Sequence, residues 1–132
     1  MKITVDTNFL ISATQWNYSV SHRLLRKLVE KEFEIFTTKE ILEEFSKVLK
    51  RDFKYCSEEI DEIIEKLLPL LVLVEPQEKL KAIIEDPEDN KILECAIESF
   101  SEYLITYDKH LLKLKEFAGV KIIKPEELIS FV

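Results

Sequence analysis

Residues 2–13 read KITVDTNFLISA, a β-branched run followed at once by an apolar segment with a polar start. Lys2–Val5 is typical of a buried strand, and Thr7–Ala13 is typical of a helix that begins directly after it. Asp6 stands at the junction between the two. In open α/β sheets, ligand sites form outside the carboxyl ends of the strands. This stretch therefore predicts strand–helix units and places a carboxylate where such sites form.

The rest of the chain repeats this alternation. Further strands are predicted at Glu34–Thr37, Tyr103–Thr106 and Val120–Ile123. Further helices are predicted at Ser19–Glu32, Thr38–Arg51, Glu58–Leu73, Asp86–Ser99, Lys109–Phe117 and Pro125–Phe131. Thr37 and Glu40 have the spacing of a capping box. We expect one α/β domain over residues 1–132, three-layered α/β/α, with a central parallel sheet of about four to five strands.

Composition excludes several classes of protein. Lys and Arg number 19 against 26 Asp and Glu, a net charge of −7. A chain this acidic is no general nucleic-acid coat, so any RNA binding needs a local basic patch or bound cations. Gly119 is the only glycine, which excludes P-loops and GxGxxG motifs. Few glycines with many Lys and Glu are also typical of heat-adapted proteins.

The chain shows no membrane or secretion signal. Its longest apolar stretch, Leu67–Val74, is far shorter than the roughly 20 residues of a membrane span. Asp6 interrupts the apolar N-terminal segment, unlike a signal peptide. Cys56 and Cys95 fit neither a zinc pattern nor a disulfide framework. His22 and His110 are too scattered to predict a histidine-based site, and we expect a cytoplasmic, reduced protein.

Two aspartates follow predicted strands. Asp6 comes directly after the first strand, and Asp108 follows Tyr103–Thr106 after one residue. Both can point into one crevice at the carboxyl edge of the sheet. Each also has a simpler explanation, because aspartate is a favoured N-cap for a helix that begins at the next residue.

Asp89 lies on an apolar helical stripe, whose other members are Ile92, Leu93, Ala96 and Phe100. A charge on a core-facing stripe costs free energy unless it is paired or binds a metal. The alternative is that Asp89 only complements the dipole in the first helical turn. Asp86 is accounted for as the N-cap of the same helix.

Glu44 flanks another apolar face, which centres near Phe45. At 100° per residue, Glu44 lies about 100° from that centre and Glu43 about 160° from it. Glu43 must therefore be solvated, whereas Glu44 can turn inward. Alone, Glu44 would be an ordinary glutamate at the boundary of the core.

Taken together, four acids on four elements can reach one end of the sheet. Clustered carboxylates repel one another and their pKa values rise. A hard divalent cation removes that cost, and Mg²⁺ and Mn²⁺ prefer oxygen ligands. Such a centre suits phosphodiester hydrolysis, in which one metal activates water and a second stabilises the leaving oxygen.

Four segments carry a family resemblance: VDTNFLISA, TTKEILEEFSKVL, DPEDNKILECAIES and YLITYDKHLL. In this order and spacing they resemble the PIN-domain nucleases over nearly the whole chain. The subgroup that the chain resembles most comprises toxins of toxin–antitoxin pairs related to the VapC type. The resemblance implies a metal-dependent endoribonuclease acting on single-stranded RNA, a homodimer and an antitoxin partner.

The resemblance also implies roles for particular residues. The family's acidic site, catalytic and metal-binding with one or two Mg²⁺ or Mn²⁺ ions, falls on Asp6, Glu44, Asp89 and Asp108. Asn8 and Thr106 match polar helpers of the motifs and are expected in supporting roles. Asn90 stands where close relatives often have an acid, and the supporting residue Asp86 is the candidate substitute.

A basic stripe has two interpretations. It consists of residues spaced i, i+3, i+4 and i+7, namely Lys47, Lys50, Arg51 and Lys54. It can serve as an RNA phosphate track leading to the site. The simpler interpretation, which we favour, is a set of cations stabilised at a helix C-terminus.

Two other functions fit a chain of this size. A receiver-like domain that accepts a phosphoryl group on Asp has a similar acidic pocket, but it usually has adjacent acids after its first strand. Here that strand ends in the single Asp6 and the second ends in Thr37. A non-catalytic PIN-like binding module would bind metal without turnover, which the sequence leaves open.

Overall fold

Residues 1–80 and 87–132 are described by a computed structural model. Over these residues the protein has six strands in one sheet. They are β1 (Lys2–Val5), β2 (Glu34–Thr37), β3 (Val72–Leu73), β4 (Tyr103–Ile105), β5 (Glu116–Phe117) and β6 (Val120–Ile123). The helices are α1 (Thr7–Gln15), α2 (Val20–Glu30), α3 (Lys39–Asp52), α4 (Ser57–Leu67), α5 (Pro87–Glu98), α6 (Lys109–Leu114) and α7 (Pro125–Ile129), with a 3₁₀ turn at Leu68–Leu70. The predicted α/β architecture is confirmed.

The sheet is parallel apart from one edge strand. Its order is β3-β2-β1-β4-β6-β5, and only the β5–β6 pair is antiparallel. The strand order reverses between β1 and β4, which are hydrogen-bonded neighbours. The carboxyl ends of the parallel strands meet at one edge, and the reversal point at that edge is where α/β sheets bind ligands.

Two of the six strands lie inside segments that were predicted to be helical. The segment Glu58–Leu73 is helical only to Leu67, because Pro69 interrupts the ladder and the chain extends into β3. The segment Lys109–Phe117 is helical only to Leu114. Lys115 adopts a positive φ of 62°, and the chain then forms the short β5–β6 hairpin. The parallel part of the sheet has five strands, within the predicted four to five, and β5 adds an antiparallel edge strand that was not predicted.

Two further local predictions are wrong. The capping box at Thr37 is absent, because Thr37 ends β2 and Thr38 caps α3 by accepting from the backbone N of Ile41 at 3.1 Å. Phe100 was placed on the core stripe of α5, yet it is 79% exposed. The helix ends at Glu98, and Phe100 adopts a left-handed φ of 55° that turns its side chain away. Asp86 and the predicted helix start there lie outside the described residues.

The core joins the sheet to the helices that carry the predicted acids. α5 packs on β1, β2 and β4 and contacts α3, while α1 packs on α2 and α3. The largest fully buried side chains are Phe9, Phe45, Ile3, Leu10, Leu24, Leu28, Ile35, Leu49, Leu93, Leu104, Ile105 and Leu111. This packing fixes α3 and α5 beside β1. In the described part of the chain, no helix combines the length and apolar character needed to cross a membrane.

Candidate active site

A cavity of about 230 Å³ lies at the carboxyl ends of β1 and β4. Its lining comes from α1, α3, α5 and the β4–α6 junction, and comprises Asp6, Thr7, Asn8, Glu44, Val48, Arg51, Glu88, Asp89, Ile92 and Asp108. All four predicted acids are thus brought to one cavity. This convergence follows from the strand order, since β1 and β4 are neighbours and the helices that pack beside them carry the other two acids.

Asp6 is the most buried acid of the cavity, with 3% of its surface exposed. One carboxylate oxygen accepts from the backbone N of Phe9 at 2.8 Å, which caps α1. The other accepts from the Thr106 hydroxyl at 2.5 Å. Burial raises the pKa of Asp6 to about 6, against the lowering effect of these two hydrogen bonds, and the charge of Asp108 raises it further. The capping explanation is correct, and the residue still borders the cavity.

Thr106 joins the two strand-end aspartates. Its hydroxyl donates to Asp6 and accepts from the backbone N of Asp108 at 2.9 Å. Asp108 caps α6, since one carboxylate oxygen accepts from the backbone N of His110 at 2.8 Å and of Leu111 at 3.1 Å. The fully buried Thr106 side chain therefore holds Asp6 and the start of the Asp108 turn in a fixed relation.

Asp89 enters from the first turn of α5, and its side chain is only 7% exposed. The residue complements the helix dipole in the first turn, as the simpler interpretation states, and its side chain also borders the cavity. Glu44 enters from α3 and is half-buried. It shares one face of that helix with Val48 and Arg51, which also line the cavity, whereas Glu43 is exposed as expected.

Some of the polar and basic residues predicted near the site line the cavity, and others lie outside it. Asn8 is exposed and Arg51 is exposed, and both line the cavity. The Arg51 guanidinium donates to the Asp52 carboxylate at 2.8 and 3.2 Å, and this bond raises the pKa of Arg51. Lys47 and Lys50 are exposed on α3 outside the lining.

The basic stripe does not continue as a helix. α3 ends at Asp52, and Lys54 lies beyond it with a positive φ of 59°. The i+7 relation of Lys54 to Lys47 is therefore lost. Cations near the helix C-terminus are still accounted for by the dipole, the simpler of the two interpretations.

Two titratable residues that the sequence did not point to, Glu88 and His110, also lie at the site. Glu88 lines the cavity one turn before Ile92 and forms an ion pair with Lys91 at 3.2 Å. His110 Nδ1 lies 3.8 Å from Asp89 Oδ2 and 3.9 Å from Asp108 Oδ1. The sequence feature that could have indicated His110 is its position two residues after the capping Asp108, which places it in the first turn of α6.

The charge around the cavity favours a cation. Among the described lining residues, five are acidic and only Arg51 is basic. An anionic substrate could approach such a surface only through bound cations or local basic groups. The raised pKa of Asp6, caused mainly by burial and increased by Asp108, reflects a desolvated carboxylate that a bound cation would stabilise in its charged form. The oxygen-rich lining matches the ligand preference of hard divalent ions.

Comparison with known proteins gives the family. The family profile described as "PIN domain" matches residues 2–110. No curated protein matches the chain. A crystal structure of VapBC2 from Rickettsia felis, bound to a DNA fragment from their promoter, is similar in fold, with a TM-score of 0.68 and 18% sequence identity over 92% of this chain and 97% of that one. With the family match spanning most of its length, the chain belongs to the PIN domain family.

Proposed function

We propose that the protein is an endoribonuclease that hydrolyses phosphodiester bonds of single-stranded RNA with the help of Mg²⁺ or Mn²⁺. The observation that carries this proposal is the convergence of Asp6, Glu44, Asp89 and Asp108 on one cavity. Membership of the PIN domain family supports a nuclease rather than another use of an acidic cavity.

The four acids would hold one or two divalent ions. When bound, such an ion supplies Lewis-acid polarisation of the scissile phosphate and lowers the pKa of an adjacent water. Thr106 keeps one Asp6 oxygen oriented, and its second bond fixes the backbone before Asp108. Asn8, at the rim, would orient water or a phosphate oxygen through its amide. Asp86 is kept in the proposal as a supporting acid.

The basic residues of α3 would receive the RNA backbone. Arg51 lines the cavity and is held by Asp52, so its planar group is already oriented at the rim. Lys47 and Lys50 on α3, together with Lys54 just beyond the end of the helix, would extend the contact through solvent-exposed ammonium groups. In a chain with a net charge of −7, a local track of this kind is the route by which RNA phosphates can reach an acidic site.

The biological role that we propose is that of a toxin in a toxin–antitoxin pair. The structurally similar VapBC2 is, by its description, a complex bound to DNA from their promoter. By analogy, this chain would act in the cytoplasm as a homodimer and would be held by a cognate antitoxin protein. Membership of the PIN domain family is consistent with such a partner.

The alternative functions predict different behaviour. A receiver domain has the strand order 2-1-3-4-5. The five parallel strands here lie in the order β3-β2-β1-β4-β6, which is 3-2-1-4-5 when only the parallel strands are numbered. The receiver interpretation is therefore dropped. A non-catalytic PIN-like module would share this fold and would bind metal without cleaving RNA, so only an activity measurement separates it from the nuclease.

The test is cleavage of end-labelled single-stranded RNA with Mg²⁺ or Mn²⁺. We expect EDTA to abolish cleavage and Asp6→Asn or Asp89→Asn to reduce the rate by more than about 100-fold, beyond the loss typical of outer-shell residues. Glu44→Gln should also lose activity, whereas its exposed neighbour gives the matched control Glu43→Gln, which should cleave normally. A folded, metal-bound wild type without turnover would point to a very narrow RNA substrate range or to the non-catalytic module. Cleavage that survives both aspartate substitutions would refute the site.

A further inference from the structure

His110 lies against the acidic site although the chain's histidines predict no site of their own. Candidate ligand atoms of Asp89, Asp108 and His110 all lie within 4.8 Å of one another. Two of the separations involve the imidazole, at 3.8 Å to Asp89 and 3.9 Å to Asp108. The three residues come from α5, from the β4–α6 junction and from α6.

The two imidazole–carboxylate distances are longer than a hydrogen bond and short enough for two ligands of one ion. A direct N–H···O hydrogen bond spans about 2.7–3.2 Å between heavy atoms, so neither imidazole contact is one. Two ligand atoms that share one ion at about 2.1 Å each can be no more than about 4.2 Å apart. Both imidazole–carboxylate separations lie between these limits, at 3.8 and 3.9 Å. Each of these two pairs could therefore share one cation, while the ligand atoms of Asp89 and Asp108 lie within 4.8 Å of each other.

The backbone holds His110 in this place. The residue is the second of α6, and its N–H donates to the Asp108 carboxylate at 2.8 Å. The same Asp108 that borders the cavity thus fixes the turn from which the imidazole projects. The His110 side chain is 47% exposed, so the ring can adjust its rotamer without disturbing the core.

We propose that His110 is a third metal-ligating side chain beside Asp89 and Asp108, and that its nitrogen makes the centre prefer transition-metal dications over Mg²⁺. The inference rests on the proposed carboxylate–metal function and specifies its metal. Mg²⁺ takes oxygen ligands almost exclusively, whereas imidazole nitrogen suits transition metals such as Zn²⁺, Fe²⁺ and Ni²⁺. An all-carboxylate site has no such bias toward nitrogen-binding ions.

The test uses Mn²⁺ as a spectroscopic probe, with no need for RNA. Pulsed electron paramagnetic resonance of the Mn²⁺-loaded protein detects a directly bonded ¹⁴N nucleus. The chain has two histidines, and His22 on α2 supplies the matched control because its Nδ1 is 2.9 Å from the carbonyl oxygen of Ala13, away from the cavity. We expect nitrogen coupling in the wild type and in His22→Gln, and its loss in His110→Gln.

A competition titration gives a second readout. His110→Gln should lower the preference for Zn²⁺ over Mg²⁺ by about 10-fold, the lower end of what loss of an ordered ligand-shell residue costs in metal affinity. His22→Gln should leave that preference unchanged.

The outcomes separate the two proposals. Mn²⁺ that binds with dependence on Asp89, but without nitrogen coupling or with coupling that survives His110→Gln, would overturn the role of His110 and leave the carboxylate centre standing. Failure of the folded wild type to bind Mn²⁺ at all would overturn both.

Discussion

Substitution of Asp6 by Asn removes the most buried charge at the site and should change how stability depends on pH. Burial raises the pKa of Asp6 from 3.8 to about 6 in the folded protein. The interval between these values, at about 1.4 kcal/mol for each pH unit, corresponds to about 3 kcal/mol. This is the free energy by which the ionised carboxylate disfavours the metal-free fold above pH 6.

The sign follows from proton binding. Between pH 3.8 and about 6 the folded Asp6 holds a proton that the unfolded chain has released, so wild-type stability falls as pH rises through this interval. The amide of the Asp6→Asn protein does not titrate. Because the unfolded carboxylate is already more than half ionised at pH 4, the stability of Asp6→Asn relative to wild type should increase by about 2 kcal/mol between pH 4 and pH 8. The fixed cost of altered hydrogen bonding to Phe9 and Thr106 cancels in this comparison.

The assay is urea unfolding in EDTA at both pH values. Asp61→Asn, an exposed aspartate on α4, is the matched control and should shift stability by less than about 0.5 kcal/mol at either pH. A relative stability of Asp6→Asn that stays constant with pH, or that falls toward pH 8, would refute the reasoning that Asp6 is a desolvated carboxylate.

Three further predictions test other parts of the account. Thr106→Val removes the hydroxyl that joins Asp6 to the Asp108 backbone. Urea unfolding at neutral pH should show that the free energy of unfolding falls by about 1–3 kcal/mol, and an unchanged value would contradict this role. Phe100→Gly removes the backbone strain of a left-handed residue whose side chain is 79% exposed. We expect the free energy of unfolding to rise by about 1 kcal/mol in the same assay, whereas a fall would show that the Phe100 ring makes stabilising contacts. Arg51→Ala should reduce the slope of log RNA affinity against log salt concentration by the equivalent of about one phosphate contact. Fluorescence anisotropy measures the affinity, and an unchanged slope would exclude Arg51 from the RNA-binding surface.

The sequence was sufficient for the parts of the fold and site that depend on periodicity. Asp6 follows a β-branched strand and Asp108 follows another, so parallel pairing alone brings them to one edge. Glu44 was distinguished from Glu43 by helical angle, and the structure has only Glu44 in the lining. These inferences needed no knowledge of tertiary contacts.

Other features depend on contacts that local patterns do not encode. β3 and β5 have two residues each, too few for an alternating pattern, and they form only because neighbouring strands offer unpaired edges. Phe100 continued the apolar stripe of α5, but a left-handed turn after Glu98 overrides that periodicity. His110 on α6 lies 3.8 Å from Asp89 on α5 because of the tertiary packing, and no local sequence pattern connects the two residues.

The most direct test of the central claim is to locate a bound ion by anomalous diffraction from crystals soaked in Mn²⁺. We expect an anomalous peak inside the cavity bordered by Asp6, Glu44, Asp89 and Asp108, and its absence in crystals of Asp89→Asn. Ordered Mn²⁺ found only elsewhere on the protein, with this cavity empty in the wild type, would contradict it.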